Sequence, residues 1–316
     1  MKKILVLALV AVMMLGVFAV AQAEEPVKVG ICIYQFNDNF MTLYREELQK
    51  YLEETYGAEV TVVDGKNDQN TQTDQVNSFI AEGVDVLIVN LVQATAASAV
   101  TALAQEAGIP IVYINREPSE EDMAAWEGMI CYVGADARQS GSMQGQIVYE
   151  LPDHGDINGN GTVDYVMIQG DMENVDAQYR TEYSIKYLTD NGVEVNKLFE
   201  QRGDWMQENG QQLAATALAQ FGTEIDVIFC NNDAMALGAY QAITEAGRKM
   251  NEDIYLLGVD ALDEAVDLIE KGEMTGTVLN DHIGQSHKAA DVAIQVANGE
   301  PLDAYYWVDY QMITGE

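Results

Sequence analysis

The sequence predicts an α/β fold built from two doubly wound parallel sheets in series, joined by several strands. Short apolar runs of roughly four to eight residues alternate with helically periodic segments along most of the chain. Such alternation is typical of βαβ units, in which helices cover both faces of a parallel sheet. The alternation breaks at 116–128, a polar stretch that contains Pro118, and then resumes. We interpret the break as the boundary between two lobes.

The elements follow one another in a regular order. A strand at 27–34 precedes a helix at 41–57, whose apolar residues have helical spacing and which ends at Gly57. Strand, helix, strand, helix and strand then lead to Asn115. Beyond the break we predict helices at 137–150, 176–191, 205–220, 233–247, 262–271 and 284–298, with strands between them and a last strand near the C-terminus.

The first 23 residues are typical of a secretory signal peptide. They contain two lysines, a long apolar run and the ending Ala21-Gln22-Ala23, which favours cleavage before Glu24. A transmembrane anchor is the alternative, because the apolar run is nearly long enough to span a bilayer. We expect 24–115 plus 281–312 to form the N-terminal lobe, 116–280 to form the C-terminal lobe, and 313–316 to begin a third crossover between them.

The chain is strongly acidic. Its 51 Asp and Glu against 16 Lys and Arg give a formal net charge of −35, which becomes −37 when the two lysines of the signal peptide are removed (−35 − 2). This charge repels nucleic acid and anionic membranes, so we expect neither as a partner. Cys32, Cys131 and Cys230 lie in separate apolar runs, and we expect buried free thiols.

Polar side chains follow the predicted strands where each strand ends. They are Asp38, Asn39, Asn90, Asn115, Asn231, Asn232, Asp233, Asp260, Asn280 and Asp281. Open parallel sheets bind ligands beyond these strand ends, and no phosphate-binding glycine motif occurs there. Carboxylates and amides suit a neutral ligand rich in hydroxyl groups, although turn formation is an alternative role for them. Phe40 and Trp205 would supply rings for the apolar face of a sugar, although Phe40 also suits the core of the first helix.

The segment DINGNGTVD, 156–164, has the oxygen spacing of an EF-hand calcium loop. Asp156, Asn158, Asn160 and Asp164 occupy positions 1, 3, 5 and 9, and Gly161 occupies position 6. Position 12, which should carry a bidentate carboxylate, is Met167. Either a carboxylate from elsewhere completes the site or the segment is a polar turn. Because the loop leads into a strand, bound calcium would act as a structural staple and not as a switch.

Several stretches resemble the periplasmic galactose/glucose-binding protein family. They are IYQFNDNFM, NDQNTQTDQV, LIVNLVQATAA, NREPS, YVGADARQSG, DINGNGTVDYV, NNDAMALGA, GVDALDEA and GTVLND, and the resemblance covers nearly all of the mature chain. It implies a type I periplasmic binding protein that binds D-galactose or D-glucose between its lobes. Its expected partners are the monosaccharide, the membrane permease of an ABC transporter and a chemoreceptor, and we expect a monomer. A receptor for a pentose or another hexose is the alternative.

We do not expect an enzyme. The sequence has no G-x-S-x-G nucleophile elbow. Its three histidines, His154, His282 and His287, have no metal-binding spacing. Paired carboxylates in the cleft are the one feature that would suit acid/base chemistry.

The resemblance also implies the residues of the sugar site. Asp38 would hold the hydroxyl that distinguishes glucose from galactose, and Phe40 and Trp205 would stack on the ring. The remaining implied contacts are Asn90, Asp176 and Arg180 on the anomeric side, Asn232, Asp260 and Asn280 at the other hydroxyls, and Asn174 at a position where the family has histidine.

The resemblance completes the calcium loop with Asp226, at a position where the family has glutamate. The implied Ca2+ ligands are Asp156, Asn158, Asn160, Thr162 through its backbone carbonyl, Asp164 and Asp226. Aspartate is one methylene shorter than glutamate, which would loosen the site. The family extends beyond the last residue of this chain, so we expect the third crossover at 313–316 to be incomplete.

Overall fold

A computed structural model describes residues 25–315, and the predicted signal peptide lies outside this range. Twelve strands form two six-stranded sheets, and ten α-helices accompany them in the described part of the chain. The predicted class, two doubly wound α/β lobes, is confirmed. Between residues 25 and 315, no helix has both the length and the apolar character needed to cross a bilayer.

The first lobe contains an entirely parallel sheet in the order β11-β5-β4-β3-β1-β2. Its strands are β1 (Lys28–Ile33), β2 (Glu59–Asp64), β3 (Val86–Val89), β4 (Ile111–Ile114), β5 (Ile130–Gly134) and β11 (Tyr305–Trp307). Helices α1 (Asn39–Tyr56) and α10 (His282–Ala297) pack on one face. Helices α2 (Gln69–Glu82) and α3 (Ala97–Ala107) pack on the other face.

The second lobe contains a sheet in the order β12-β10-β9-β8-β6-β7, which is parallel except for β12. Its strands are β6 (Val163–Gln169), β7 (Val195–Arg202), β8 (Val227–Cys230), β9 (Tyr255–Leu257), β10 (Gly276–Leu279) and β12 (Gln311–Thr314). Its helices are α5 (Ala137–Glu150), α6 (Val175–Asp190), α7 (Gln207–Phe221), α8 (Asp233–Glu245) and α9 (Asp263–Glu270), while the short α4 (Glu120–Met123) belongs to the first lobe. Both cores are apolar, and the three cysteines are buried and free, as predicted.

Aspartate and asparagine side chains begin several helices directly after a strand. Asp38 Oδ1 accepts a hydrogen bond from Met41 N at 2.7 Å. Asn174 and Asn232 cap α6 and α8 in the same way, each at 3.0 Å. An N-cap bond of this kind satisfies a backbone N–H that the helix leaves free. The caps also fix these side chains at the carboxyl edge of each sheet, where the lobes face each other.

The chain passes between the lobes three times. The passages lie between β5 and α5, between β10 and α10, and between β11 and β12. They occupy 135–136, 280–281 and 308–310. These three connections form the predicted multi-strand hinge.

The structure corrects two of the predicted lobe bounds. We assigned 116–280 to the second lobe, but β5 lies in the first sheet, where Ile130–Val133 pairs with β4. The polar break at 116–128 is therefore an excursion within the first lobe. The predicted C-terminal strand is two strands in different sheets, so the third crossover is at 308–310. Residues 313–314, predicted to begin that crossover, instead pair with β10.

Candidate binding site

A small cavity lies between the two lobes, at the carboxyl edges of both sheets. The first lobe contributes Tyr34, Asp38, Phe40, Met41, Asn115 and Arg116, and the second contributes Asn174, Asp176, Arg180, Trp205, Asn232 and Asp260. Eight of the ten residues predicted for the sugar site line this cavity. Both lobes supply polar side chains, so a ligand held there would contact both sheets at once.

Two predicted contact residues, Asn90 and Asn280, lie behind the cavity. The Asn90 side chain accepts from Tyr34 N at 3.3 Å and donates to Asn115 Oδ1 at 3.1 Å. Asn280 donates to Asp260 Oδ1 at 3.2 Å and accepts from Gln285 at 2.6 Å. Both are almost fully buried, so they orient the cavity residues Asn115 and Asp260.

Four residues that line the cavity were not among the predicted contacts: Tyr34, Met41, Asn115 and Arg116. Asn115 did belong to the strand-end pattern, but the resemblance led us to Asn90 instead. Arg116 follows it directly, and its guanidinium lies 4.0 Å from the centre of the Tyr34 ring. In the sequence, the position of Arg116 directly after the strand-end residue Asn115 was the signal that could have placed both residues in the site.

Asp38 is held in place by bonds to both of its carboxylate oxygens. Oδ1 caps α1, and Oδ2 accepts the Tyr34 hydroxyl at 2.6 Å. Burial and then the Asp38 charge raise the pKa of Tyr34 well above its ordinary value, so this phenol stays a donor. Each carboxylate oxygen can accept more than one hydrogen bond, which leaves Asp38 able to accept from a ligand hydroxyl.

Arg180 is the central cation of the second lobe's half of the site. Its Nη1 donates to Asn231 O at 2.8 Å, and its Nη2 donates to the Tyr310 hydroxyl at 3.0 Å and lies 3.5 Å from Asp176 Oδ2. Burial opposes its charge, but Tyr310, Asp176 and Asp260 raise the pKa of Arg180 above its ordinary value. Its buried Nε has no hydrogen-bond partner among the described residues, and it is therefore a free donor.

Burial also changes the acidity of the cavity carboxylates. It raises the pKa of Asp176 to about 6, against the opposing charges of Arg180 and Arg116. It raises the pKa of Asp260 well above 3.8. Desolvation penalises a carboxylate that lacks full compensation, and ligand hydroxyls that donate to it would relieve that cost.

The backbone is strained at three cavity residues. Asn115, Trp205 and Asp260 have φ angles of 61°, 66° and 124°, in a region that residues other than glycine rarely occupy. Strain of this kind persists only where the surrounding structure enforces it, and it concentrates at functional sites.

Trp205 packs directly over Gly170. A Cβ atom on Gly170 would lie 2.2 Å from Trp205 Cη2, so the position of the ring depends on the missing side chain. The Trp205 backbone carbonyl accepts from Asn232 Nδ2 at 3.2 Å, which ties the Trp205 backbone to a second cavity residue. Phe40, from the other lobe, is 5% exposed and lies edge-on to His282.

The predicted calcium loop meets Asp226, although the two are far apart in sequence. Asp226 accepts from Asn158 N at 3.0 Å and from Asp164 N at 2.8 Å. Asp156 accepts from the backbone of Asn160 and Gly161 at 3.0 and 2.8 Å. The Asp226 carboxylate therefore fastens the loop to the chain just before β8.

The loop fits calcium by its donor types. Carboxylate, amide and carbonyl oxygens are the ligands that calcium prefers. Burial, with a contribution from the charges of Asp164 and Asp156, raises the pKa of Asp226 to about 6, and a cation would relieve both effects. Within residues 25–315, no three His, Cys, Asp or Glu side chains converge as a metal site, so the amide oxygens of Asn158 and Asn160 would have to contribute.

Two α/β lobes that enclose a polar cavity and are joined by a three-stranded hinge define a two-lobed binding protein. The chain belongs to the periplasmic binding protein family, whose domain model matches residues 29–301. The predicted resemblance is confirmed at this level.

Curated relatives and solved structures match over almost the full chain. The D-galactose/methyl-galactoside binding periplasmic protein of Haemophilus influenzae is 34% identical over 95% of this chain and 90% of its own length. A putative rhizopine-binding protein of Rhizobium meliloti is 32% identical over 93% of this chain and 92% of its own length. An ABC transporter solute binding protein from Bacillus halodurans, solved with bound myo-inositol, superposes with a TM-score of 0.81 at 28% identity and covers 93% of this chain and 96% of that one. These matches are binding proteins, and the prediction of a receptor rather than an enzyme is confirmed.

Proposed function

We propose that this protein is a periplasmic receptor that encloses one sugar molecule between its lobes and delivers it to an ABC transporter. The observation that carries the proposal is the buried cavity, where polar groups and two aromatic rings from opposite lobes meet. Hydroxyl groups need paired donors and acceptors, and the apolar face of a sugar ring needs an aromatic surface. Matched relatives named for galactose, ribose and xylose support the same class of ligand.

D-galactose or D-glucose is the ligand that we propose. Asp38 offers acceptors for a hydroxyl, and the free Nε of Arg180 suits a ring oxygen, which only accepts. The relative named for D-galactose and methyl-galactoside matches nearly the whole chain. Asn174, at the position where the family has histidine, would contact the ligand with a shorter, uncharged group.

A cyclic polyol is the second candidate. The matches with a rhizopine-binding protein and with a structure that holds myo-inositol favour it. A polyol ring carries no ring oxygen, so the Arg180 donor would have to bind a hydroxyl instead.

Isothermal titration with D-galactose, D-glucose, D-ribose, D-xylose and myo-inositol tests these alternatives. We expect saturable binding of one hexose per chain, with a change in Trp205 fluorescence. Binding of myo-inositol or a pentose in preference to both hexoses would overturn the choice of ligand. No heat and no fluorescence change with any of the five would overturn the receptor proposal.

The three-stranded hinge supports closure on the ligand. Hinge bending at 135–136, 280–281 and 308–310 would bring the cavity walls together and exclude water. The closed pair of lobes would then form the surface that the transporter permease recognises, and we propose a chemoreceptor as a further partner of that surface. Small-angle scattering should show a smaller radius of gyration with saturating sugar, and an unchanged radius would contradict closure.

We also propose export through residues 1–23, function as a monomer, and calcium in the loop 156–164. The N-terminus of the exported protein should be Glu24, as read by mass spectrometry. The mass in solution should be that of one chain. Calcium would bind through Asp156, Asn158, Asn160, Thr162, Asp164 and Asp226, and would supply a charge that joins the loop to β8.

A further inference from the structure

Arg116 and Asp171 form an ion pair across the cleft. Arg116 follows β4 in the first lobe, Asp171 follows β6 in the second, and Arg116 Nη1 lies 3.5 Å from Asp171 Oδ2. No other ion pair among residues 25–315 joins the two lobes. The pair lies at the cavity itself, because Arg116 is one of the lining residues.

Arg116 has donors that the protein does not use. Its side chain is 2% exposed, and Nη1 donates to the Val92 carbonyl. Its Nε is buried without a partner among the described residues. A guanidinium has five N–H donors and cannot lose its charge, so a buried one with a free donor favours a ligand acceptor nearby.

Each partner stays compensated when the pair separates. Asp171 also lies 3.0 Å from Arg202 Nη2 in its own lobe. Arg116 keeps the Tyr34 ring and the Val92 carbonyl, both in its own lobe. Neither charge is therefore left without a partner when the lobes open. The pair stabilises the closed form reversibly.

We propose that Arg116 couples ligand binding to lobe closure. Its free donors bind the sugar in the cavity, while its charge holds Asp171 across the cleft. This inference rests on the proposed receptor function and adds a positioning residue, Asp171, that does not line the cavity. Because the pair forms as the lobes close, it shifts the lobe equilibrium toward the closed form even without sugar, and it slows ligand release more than it speeds ligand capture.

The test is stopped-flow binding of D-galactose to Asp171→Asn. In the wild type, Glu173 N donates a hydrogen bond to Asp171 Oδ1 at 3.1 Å. Asparagine has the same shape and keeps an oxygen that can accept this bond. We expect dissociation to be about tenfold faster, association to be little changed, and the order of preference among sugars to be unchanged. Asp171→Glu retains the charge and should restore slow release.

Asp190→Asn is the matched control. Asp190 forms an ion pair with Lys186 at 2.6 Å, and both residues belong to α6 of the second lobe. This pair therefore does not join the two lobes. It undergoes the same chemical change, and we expect wild-type release. Equal melting temperatures of the two sugar-free variants would show that folding is not the cause of faster release.

A double-mutant cycle separates coupling from general damage. If Arg116 and Asp171 act together, Asp171→Asn should accelerate release less than about twofold in an Arg116→Gln background. Scattering from sugar-free protein adds a readout that needs no ligand, with a larger radius of gyration expected for Asp171→Asn. Release within about twofold of wild type, fold-changes that multiply in the double variant, or an unchanged sugar-free radius would each overturn the coupling. Failure of the wild type to bind any sugar would instead overturn the receptor function, and the scattering result would still decide the closure role.

Discussion

Single atoms set the shape of the cavity. Gly170 leaves the space that the Trp205 ring occupies, and the Tyr34 hydroxyl fixes one oxygen of Asp38. The Arg180 guanidinium is bonded to the Asn231 carbonyl and to the Tyr310 hydroxyl, which lies on the third crossover. The cavity residues are thus positioned by neighbours that a ligand never touches.

The Gly170 contact gives a prediction at this scale. Gly170→Ala should displace the Trp205 ring, because the added Cβ would lie 2.2 Å from it. We expect sugar affinity to fall by at least about tenfold, as when a well-packed aromatic contact is lost. Fluorescence titration in a Trp126→Phe/Trp307→Phe background, where Trp205 is the remaining tryptophan, measures both the ring's environment and the affinity.

The background without Gly170→Ala is the control for that titration. It should bind sugar as the wild type does, since Trp126 and Trp307 do not line the cavity. Unchanged affinity and an unchanged emission spectrum in Gly170→Ala would show that the ring does not occupy the described position.

Helix caps and the loop 156–164 belong to the scale of the element. Each cap fixes a polar side chain at the edge of its sheet and leaves further lone pairs for a ligand. The loop has a different role, because it lies at the start of β6, at the opposite end of that strand from the cavity. Asp226 joins the loop to the start of β8. We therefore expect the loop to affect the stability of the second lobe and not the binding of sugar.

Calcium removal tests the loop. If the ion binds, it should raise the free energy of unfolding by about 2.7 kcal/mol at a free concentration of about 100 times its Kd. Chelator should therefore lower the melting temperature of the wild type. Asp226→Ala should lower it further, because two backbone N–H bonds are lost, and should remove the response to chelator.

Two further variants calibrate that result. Asp226→Glu should strengthen the response to calcium if the short side chain is the weak point of the site. Asp190→Ala, on the exposed end of α6, should respond to chelator as the wild type does. If neither calcium nor chelator changes the melting temperature of the wild type, the calcium proposal is wrong. The segment is then a polar turn held by the hydrogen bonds to Asp226.

The whole molecule is a strongly acidic protein with carboxylates buried in its second lobe. Asp233 is fully buried and accepts from Thr277 Oγ1 at 2.6 Å and from Leu262 N at 2.9 Å. Burial raises the pKa of Asp233 to about 6, as it does for Asp176. The formal net charge of −35 adds a repulsion that also weakens as the pH falls.

These shifts predict the direction of the pH dependence of stability. The folded-state pKa values of about 6 exceed the ordinary value of 3.8, so the folded protein binds more protons than the unfolded chain between these values. The resulting stabilisation is present at low pH and is lost as the pH rises through about 6. Without sugar and with chelator, the melting temperature should therefore fall between pH 5 and pH 7, as measured by calorimetry.

Asp233→Asn should flatten that dependence, because one of the titrating carboxyls is removed. Asp190→Asn, which is exposed, should leave its slope unchanged. A melting temperature that rises from pH 5 to pH 7 in the wild type would show that other groups dominate the proton balance.

The sequence by itself determined the fold class and, together with the family resemblance that its motifs carry, most of the cavity. Apolar runs alternating with helices require parallel sheets with covered faces, and strand-end polar residues in such sheets gather at one edge. Only the tertiary structure decided which of two neighbouring strand-end asparagines faces the cavity. The Asn90 side chain points into the protein, where it accepts a hydrogen bond from Tyr34 N. Asn115 has a left-handed backbone and lines the cavity. Only the structure placed β5 in the first sheet and paired Arg116 with Asp171, because strand order and contacts between lobes depend on packing between segments far apart in sequence, which local periodicity does not record.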